Sequence, residues 1–118
     1  MERYYYSQAE RGKGSKERIM NDLHKWFLKV WDEREDDNGN IYCFETGQKM
    51  NRKYYRENTA VYSHILPKHL FEKYKMEKWN VKIVMPEAHH QFSIDPEKAP
   101  KQYELYKKLL DLHNKGKL

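Results

Sequence analysis

The sequence predicts an α+β domain, on three observations. Apolar residues recur at three- and four-residue steps over residues 19–31 and again over 103–110, the period of a helix with one buried face. Between them lie short runs of strand composition, bounded by Asn-Gly, Thr-Gly or proline. The chain has 118 residues, enough for one domain and hardly two.

Composition narrows the class further. Hydrophobic residues make up 38% of the chain, below the usual ~45–50%, so the core is small. Ten tyrosines and three tryptophans still argue against disorder, because disordered chains lack large groups to bury. The single cysteine, Cys43, excludes an internal disulfide. It also excludes a zinc module of four cysteines, or of two cysteines and two histidines, built from this chain alone. No apolar run approaches the ~20 residues of a membrane span, and residues 1–10 are too polar for a signal peptide. A soluble, cytoplasmic protein with no membrane partner is the expectation. The net charge of +5 favours a polyanionic partner, though only weakly.

The elements follow in order. Residues 1–14 read as an arm, with Tyr4, Tyr5 and Tyr6 ahead of Gly12 and Gly14. Residues 15–118 read as one domain. A helix is expected over 15–34, with Ser15 as its cap and Ile19, Leu23, Trp26, Phe27, Val30 and Trp31 on one face. Asn38-Gly39 stops it. Residues 41–44 and 48–50 make a small hairpin around Glu45-Thr46-Gly47. Residues 51–58 are polar and basic and read as a loop. Strands are expected over 60–66, ended by Pro67, and over 81–85, with a mixed segment between. Pro86 suits the first turn of a helix continuing to Phe92. A linker over 93–100 leads to a last helix over 101–114, which Gly116 ends.

The segment over 61–92 carries the chemistry. It places His64 at the end of one strand, Asn80 at the start of the next and His89 in the first turn of a helix. A hairpin packed on a helix brings such positions together. A neutral imidazole near pH 7 can take a proton from water. A second imidazole can hold a divalent metal that stabilises charge during phosphodiester cleavage. Arg52, Lys53, Arg56 and Lys68 surround the segment and are candidate phosphate contacts.

Two stretches strengthen this reading: Ser63-His64-Ile65-Leu66-Pro67-Lys68, and Asn80-Val81-Lys82-Ile83-Val84-Met85-Pro86-Glu87-Ala88-His89-His90. Together they resemble the His-Asn-His (HNH) endonuclease motif, in the form found in small phage and mobile-element proteins. Cys43-Phe44-Glu45-Thr46-Gly47-Gln48 resembles the knuckle that precedes the motif in many members. The resemblance covers about residues 41–93. It implies a ββα-metal (His-Me finger) core flanked by N- and C-terminal helices. It implies DNA as substrate, Mg²⁺ or Mn²⁺ as cofactor, and a bacterial cytoplasm as location. By the same resemblance His64 is the general base, Asn80 the amide that orients the loop, and His89 the metal ligand. Three roles stay open to His90: assisting the metal, contacting phosphate or facing outward. Cutting both strands with one site per chain would call for a homodimer.

The sequence also departs from the family. Ser63 stands where many members carry a metal-binding Asp, and a neutral hydroxyl is a poor Mg²⁺ ligand. Only Cys43 remains of the zinc cysteines, with Met85 and Ala88 opposite, so no structural zinc is expected. Packing of Phe44, Met50 and Met85 must then hold the knuckle. These departures leave an alternative, a catalytically degenerate HNH scaffold that binds nucleic acid or inhibits a host protein.

Overall fold

Asn21 sets the start of helix α1 (Asp22–Arg34). Its backbone is extended, and its side-chain oxygen accepts the His24 amide at 2.8 Å. Among the described residues the helix thus starts at Asp22, behind a capping asparagine that the periodicity alone did not reveal. The computed structural model describes residues 21–118. The arm over 1–14, the Ser15 cap and Ile19 lie outside the described residues.

After α1 the Asp36 carboxylate accepts the amides of Asn38 and Asn40, each at 2.9 Å. Gly39 adopts φ 78°, where a side chain would both strain the backbone and press on Arg52. This turn feeds the first hairpin, β1 (Asn40–Tyr42) against β2 (Lys49–Asn51), with Ile41 opposite Met50. Both of these residues are buried, so one hairpin face meets the core. In the knuckle between the strands the Cys43 sulfur accepts the amides of Thr46 at 3.3 Å and Met85 at 3.1 Å. Buried Met50 packs beside it, with Phe44 and Met85 partly buried against the same cluster.

The loop expected over 51–58 contains a helical turn, α2 (Arg52–Tyr55). Asn51 caps it by accepting the Lys53 amide at 3.0 Å, a local bond that outweighs the absence of an apolar stripe. The second hairpin pairs β3 (Tyr62–His64) with β4 (Val81–Ile83), Tyr62 facing Ile83 and His64 facing Val81. Both strands are shorter than their apolar runs. A 3-10 turn over Thr59–Val61 precedes β3, and another over Lys78–Asn80 precedes β4. The Phe44 amide bonds the Ile83 carbonyl at 3.0 Å and ties the two hairpins together. Helix α3 (Pro86–Ile94) follows β4 directly, so Ser93 belongs to the helix and not to the linker. Helix α4 (Pro100–Asn114) closes the chain.

The described residues thus form an α+β fold of four helices and two small antiparallel sheets. One core joins Phe27, Val30 and Trp31 of α1 to both hairpins and to Ala88 of α3. Full burial of side chains this large contributes ~1.5–3 kcal/mol each. A second core lies under the loop between β3 and β4. There Ile65, Leu66 and Tyr74 pack on Leu109 of α4, with Tyr106 and Leu110 partly buried beside them. The Tyr74 hydroxyl bonds His113 at 2.8 Å across this contact. The Arg34 guanidinium donates to the carbonyls of Val81 and Lys78, at 2.7 and 2.8 Å, and fastens the end of α1 to β4. No helix among the described residues is long and apolar enough to cross a membrane.

Candidate functional site

Asn80 is fully buried, and its amide does three things at once. Its Oδ1 accepts the Leu66 amide at 2.8 Å. Its Nδ2 donates to the Leu66 carbonyl at 3.0 Å and to the Tyr74 carbonyl at 3.3 Å. The loop between β3 and β4 is thereby closed on its own root. This closure carries the Lys75 carbonyl to His64, whose Nε2 lies 2.8 Å from it. A carbonyl only accepts, so Nε2 carries the hydrogen and Nδ1 keeps a lone pair.

His89 has the complementary arrangement. Its Nδ1 lies 2.6 Å from the Ala60 carbonyl and donates to it, leaving the lone pair on Nε2. Asn58 fixes that carbonyl's turn by accepting the Ala60 amide at 2.9 Å. His64 and His89 line one cleft of about 410 Å³, together with Lys68, His69, Thr59 and Ser93. Tyr62 and Phe27 form its apolar wall, stacked at 4.5 Å, and the Phe27 ring lies 5.6 Å from that of His64. The Tyr62 hydroxyl donates to the Arg56 carbonyl.

Burial lowers the pKa of both imidazoles below the usual histidine value. The carbonyl bonds oppose the shift, while the Lys68 charge adds to it, so both rings are neutral near pH 7. The unfolded chain then binds more protons than the folded one just below pH 6.5. Stability from these groups is complete above about pH 6.5 and is lost as pH falls from there through the depressed folded values. Thermal midpoints measured from pH 8 to pH 5 should hold steady to about 6.5 and then drop. Replacing both rings by glutamine should flatten that drop.

Ser63 is fully buried on the strand face opposite His64. Its hydroxyl donates to Gln102 Oε1 at 2.6 Å. Gln102 Nε2 reaches the Ala88 carbonyl at 3.1 Å and Glu45 at 3.2 Å. The Glu45 carboxylate accepts the amides of Lys101 and Gln102, both at 2.9 Å, at the start of α4. Position 63 therefore serves a network that joins the knuckle, β3, α3 and α4. A carboxylate placed at position 63 should not act as a metal ligand in the cleft. Ser63→Asp should instead lower stability by about 3 kcal/mol or more, since it buries a charge against an acceptor oxygen. Thermal denaturation together with Mn²⁺ titration checks this, and tighter metal binding at an unchanged midpoint would contradict it.

The other expected residues are dispersed. Lys68 lines the cleft. Arg56 is engaged by Asp32 through Nε and Nη2, each at 2.8 Å. Arg52 bonds Glu35 at 2.7 Å and lies 3.5 Å from Asp32. Lys53 stands over the Tyr54 ring at 5.6 Å. These two arginines hold α2 against α1. His90 is exposed and lies outside the cleft lining, as do Glu87 and Asp95.

His89 is the residue here that would suit a metal, because a ligating histidine usually donates its other ring N–H to a carbonyl or carboxylate, as His89 Nδ1 does to Ala60. The cleft lining contains no Asp or Glu. Among the described residues no group of three His, Cys, Asp or Glu side chains comes together. A metal here would rely on imidazole, water and substrate oxygens. The sequence gives His69, a loop residue, no role, and the structure adds only that it lines the cleft. Sequence reasoning missed the Glu45–Gln102 network, whose partners are distant along the chain. No family model, curated protein or solved structure matches this chain.

Proposed function

We propose that the chain is an HNH-type endonuclease with a ββα-metal core, cleaving DNA phosphodiester bonds with Mg²⁺ or Mn²⁺. The observation that carries this reading is the pair of imidazoles in one cleft. Each has one nitrogen spent on a main-chain carbonyl and the other left with a lone pair. The order β3, β4, α3 supplies the ββα arrangement, with Asn80 closing the loop that aims His64.

In this mechanism His64 Nδ1 takes a proton from water as the water oxygen attacks phosphorus and the bond to the leaving oxygen breaks. The Lys75 carbonyl steadies the imidazolium that forms, through the Nε2 hydrogen. Lys68 offers a positive charge to the phosphate at the cleft. His89 is the residue that would hold the divalent ion, which would offset negative charge on the phosphate and the leaving oxygen.

Incubation of supercoiled plasmid with Mg²⁺, Mn²⁺ or EDTA, with wild type beside His64→Ala, tests the proposal. Nicking that needs metal and vanishes in the variant supports it. Absence of cleavage on duplex, single-stranded and branched DNA by folded wild type would sink it. The second reading, a degenerate scaffold that binds nucleic acid or a host protein, is favoured by the lack of a carboxylate in the cleft lining. Metal titration separates the two: the enzyme loses affinity for the ion in His89→Ala, whereas the scaffold has none to lose.

A further inference from the structure

A second groove, of about 450 Å³, shares no lining residue with the histidine cleft. Strand alternation builds it. Ile41 turns into the core, so Tyr42 turns outward, and Phe44, half-buried at the edge of the core, lines the groove beside it. The main-chain bond from Phe44 to Ile83 sets β4 alongside, and there Val81 and Ile83 are buried while Lys82 turns outward. Trp79, half-buried just before β4, completes the aromatic lining.

Its charge is one-sided. Arg34, Lys78 and Lys82 line the groove, and no acidic residue does. Lys78 is paired with Glu33 at 2.7 Å. Arg34 spends its hydrogen bonds on two carbonyls, and the Glu33 charge acts on its guanidinium from nearby. The Lys82 ammonium stands 5.2 Å from the Phe44 ring and has no carboxylate partner among the described residues. Burial, and then the neighbouring Arg34, pull its pKa below the usual lysine value. Tyr42 is 58% exposed and lines the groove.

We propose that this groove is a binding site for single-stranded nucleic acid, in which bases stack on Tyr42, Phe44 and Trp79 while Lys82 and Arg34 take the adjoining phosphates. Flat aromatic faces interleaved with cations, Lys82 among them without a carboxylate partner among the described residues, suit a strand whose bases are unstacked, because every base offers a π-face and every link a negative charge. A duplex keeps its bases stacked inside and cannot use the rings. An acidic peptide could use the charges but would leave the aromatic faces unfilled. The site is separate from the cleft, so the inference stands whether or not His64 cleaves.

Fluorescence anisotropy in EDTA tests it, with labelled oligo-dT, the matching duplex and a poly-glutamate peptide on the full chain. Oligo-dT should bind more tightly than the other two. Tyr42→Ala should weaken oligo-dT binding by about tenfold. Lys82→Gln should make the plot of log affinity against log salt shallower by about 0.7, with Lys82→Arg restoring it. Tyr42 is exposed, so its variant should keep the wild-type melting temperature. Crosslinking of a 5-iodouracil oligonucleotide should map to the groove aromatics. Wild-type affinity in both Tyr42→Ala and Lys82→Gln would overturn the proposal. So would tighter binding of duplex or poly-glutamate, or no binding of oligo-dT. Loss of cleavage in His64→Ala with oligo-dT binding intact would separate the two sites.

Discussion

His64→Ala should lower metal-dependent plasmid nicking by roughly 10²–10⁴-fold, the usual contribution of a positioned general base. The fold should survive the change. His64 is only half-buried and makes one hydrogen bond, to Lys75, worth about 1 kcal/mol net. A small shift in melting temperature beside a large loss of rate would place the residue in the chemistry and not in the scaffold. The pH profile gives an independent readout. Burial, with the Lys68 charge behind it, lowers the His64 pKa, so the base is already neutral at pH 7. The rate should therefore be flat on its acid side down to about pH 6.5 and fall only below that. An acid limb centred well above 6.5 would point to another base.

The sequence made the chemistry-bearing segment legible because its signals are local. Asn38-Gly39 and Thr46-Gly47 fall at turns, and Gly39 and Gly47 both adopt positive φ as such turns require. Pro67 stands just past β3, and Pro86 ends the run of β4 and starts α3. The order of His64, Asn80 and His89 along strand, strand and helix was enough to expect them together, and two of the three line one cleft while Asn80 pins the loop behind it. What could not be read depends on partners far along the chain. Arg52 and Arg56 look like phosphate contacts until Asp32 of α1 and Glu35 just after it are placed beside them. Ser63 looks like a failed metal ligand until β3 is seen to turn it towards Gln102, on a helix outside the motif. The cap at Asn21 competes with an apolar period that runs straight past it, and one hydrogen bond decides the outcome.

Asn80→Ala should be the most destabilising single change at the site, and for a reason distinct from His64→Ala. The substitution leaves the Leu66 amide and the carbonyls of Leu66 and Tyr74 without the partner that Asn80 supplies, all three in buried contacts. Each orphaned group costs ~1–3 kcal/mol, so a total of about 3–5 kcal/mol is expected. For a chain of this size that lowers the melting midpoint by roughly 10–20 °C. The damage should spread to the chemistry even where the protein stays folded. The Lys75 carbonyl reaches His64 only because the loop is closed, and an open loop releases the Nε2 hydrogen that fixes the tautomer. Asn80→Asp sharpens the test. It keeps the acceptor for the Leu66 amide but loses both donor bonds and buries a carboxylate, so it should fare no better than alanine. Urea titration of both variants beside wild type measures the loss. If Asn80→Ala unfolds at the wild-type midpoint, the loop is held by its apolar contacts on α4, and Asn80 is not the residue that aims the base.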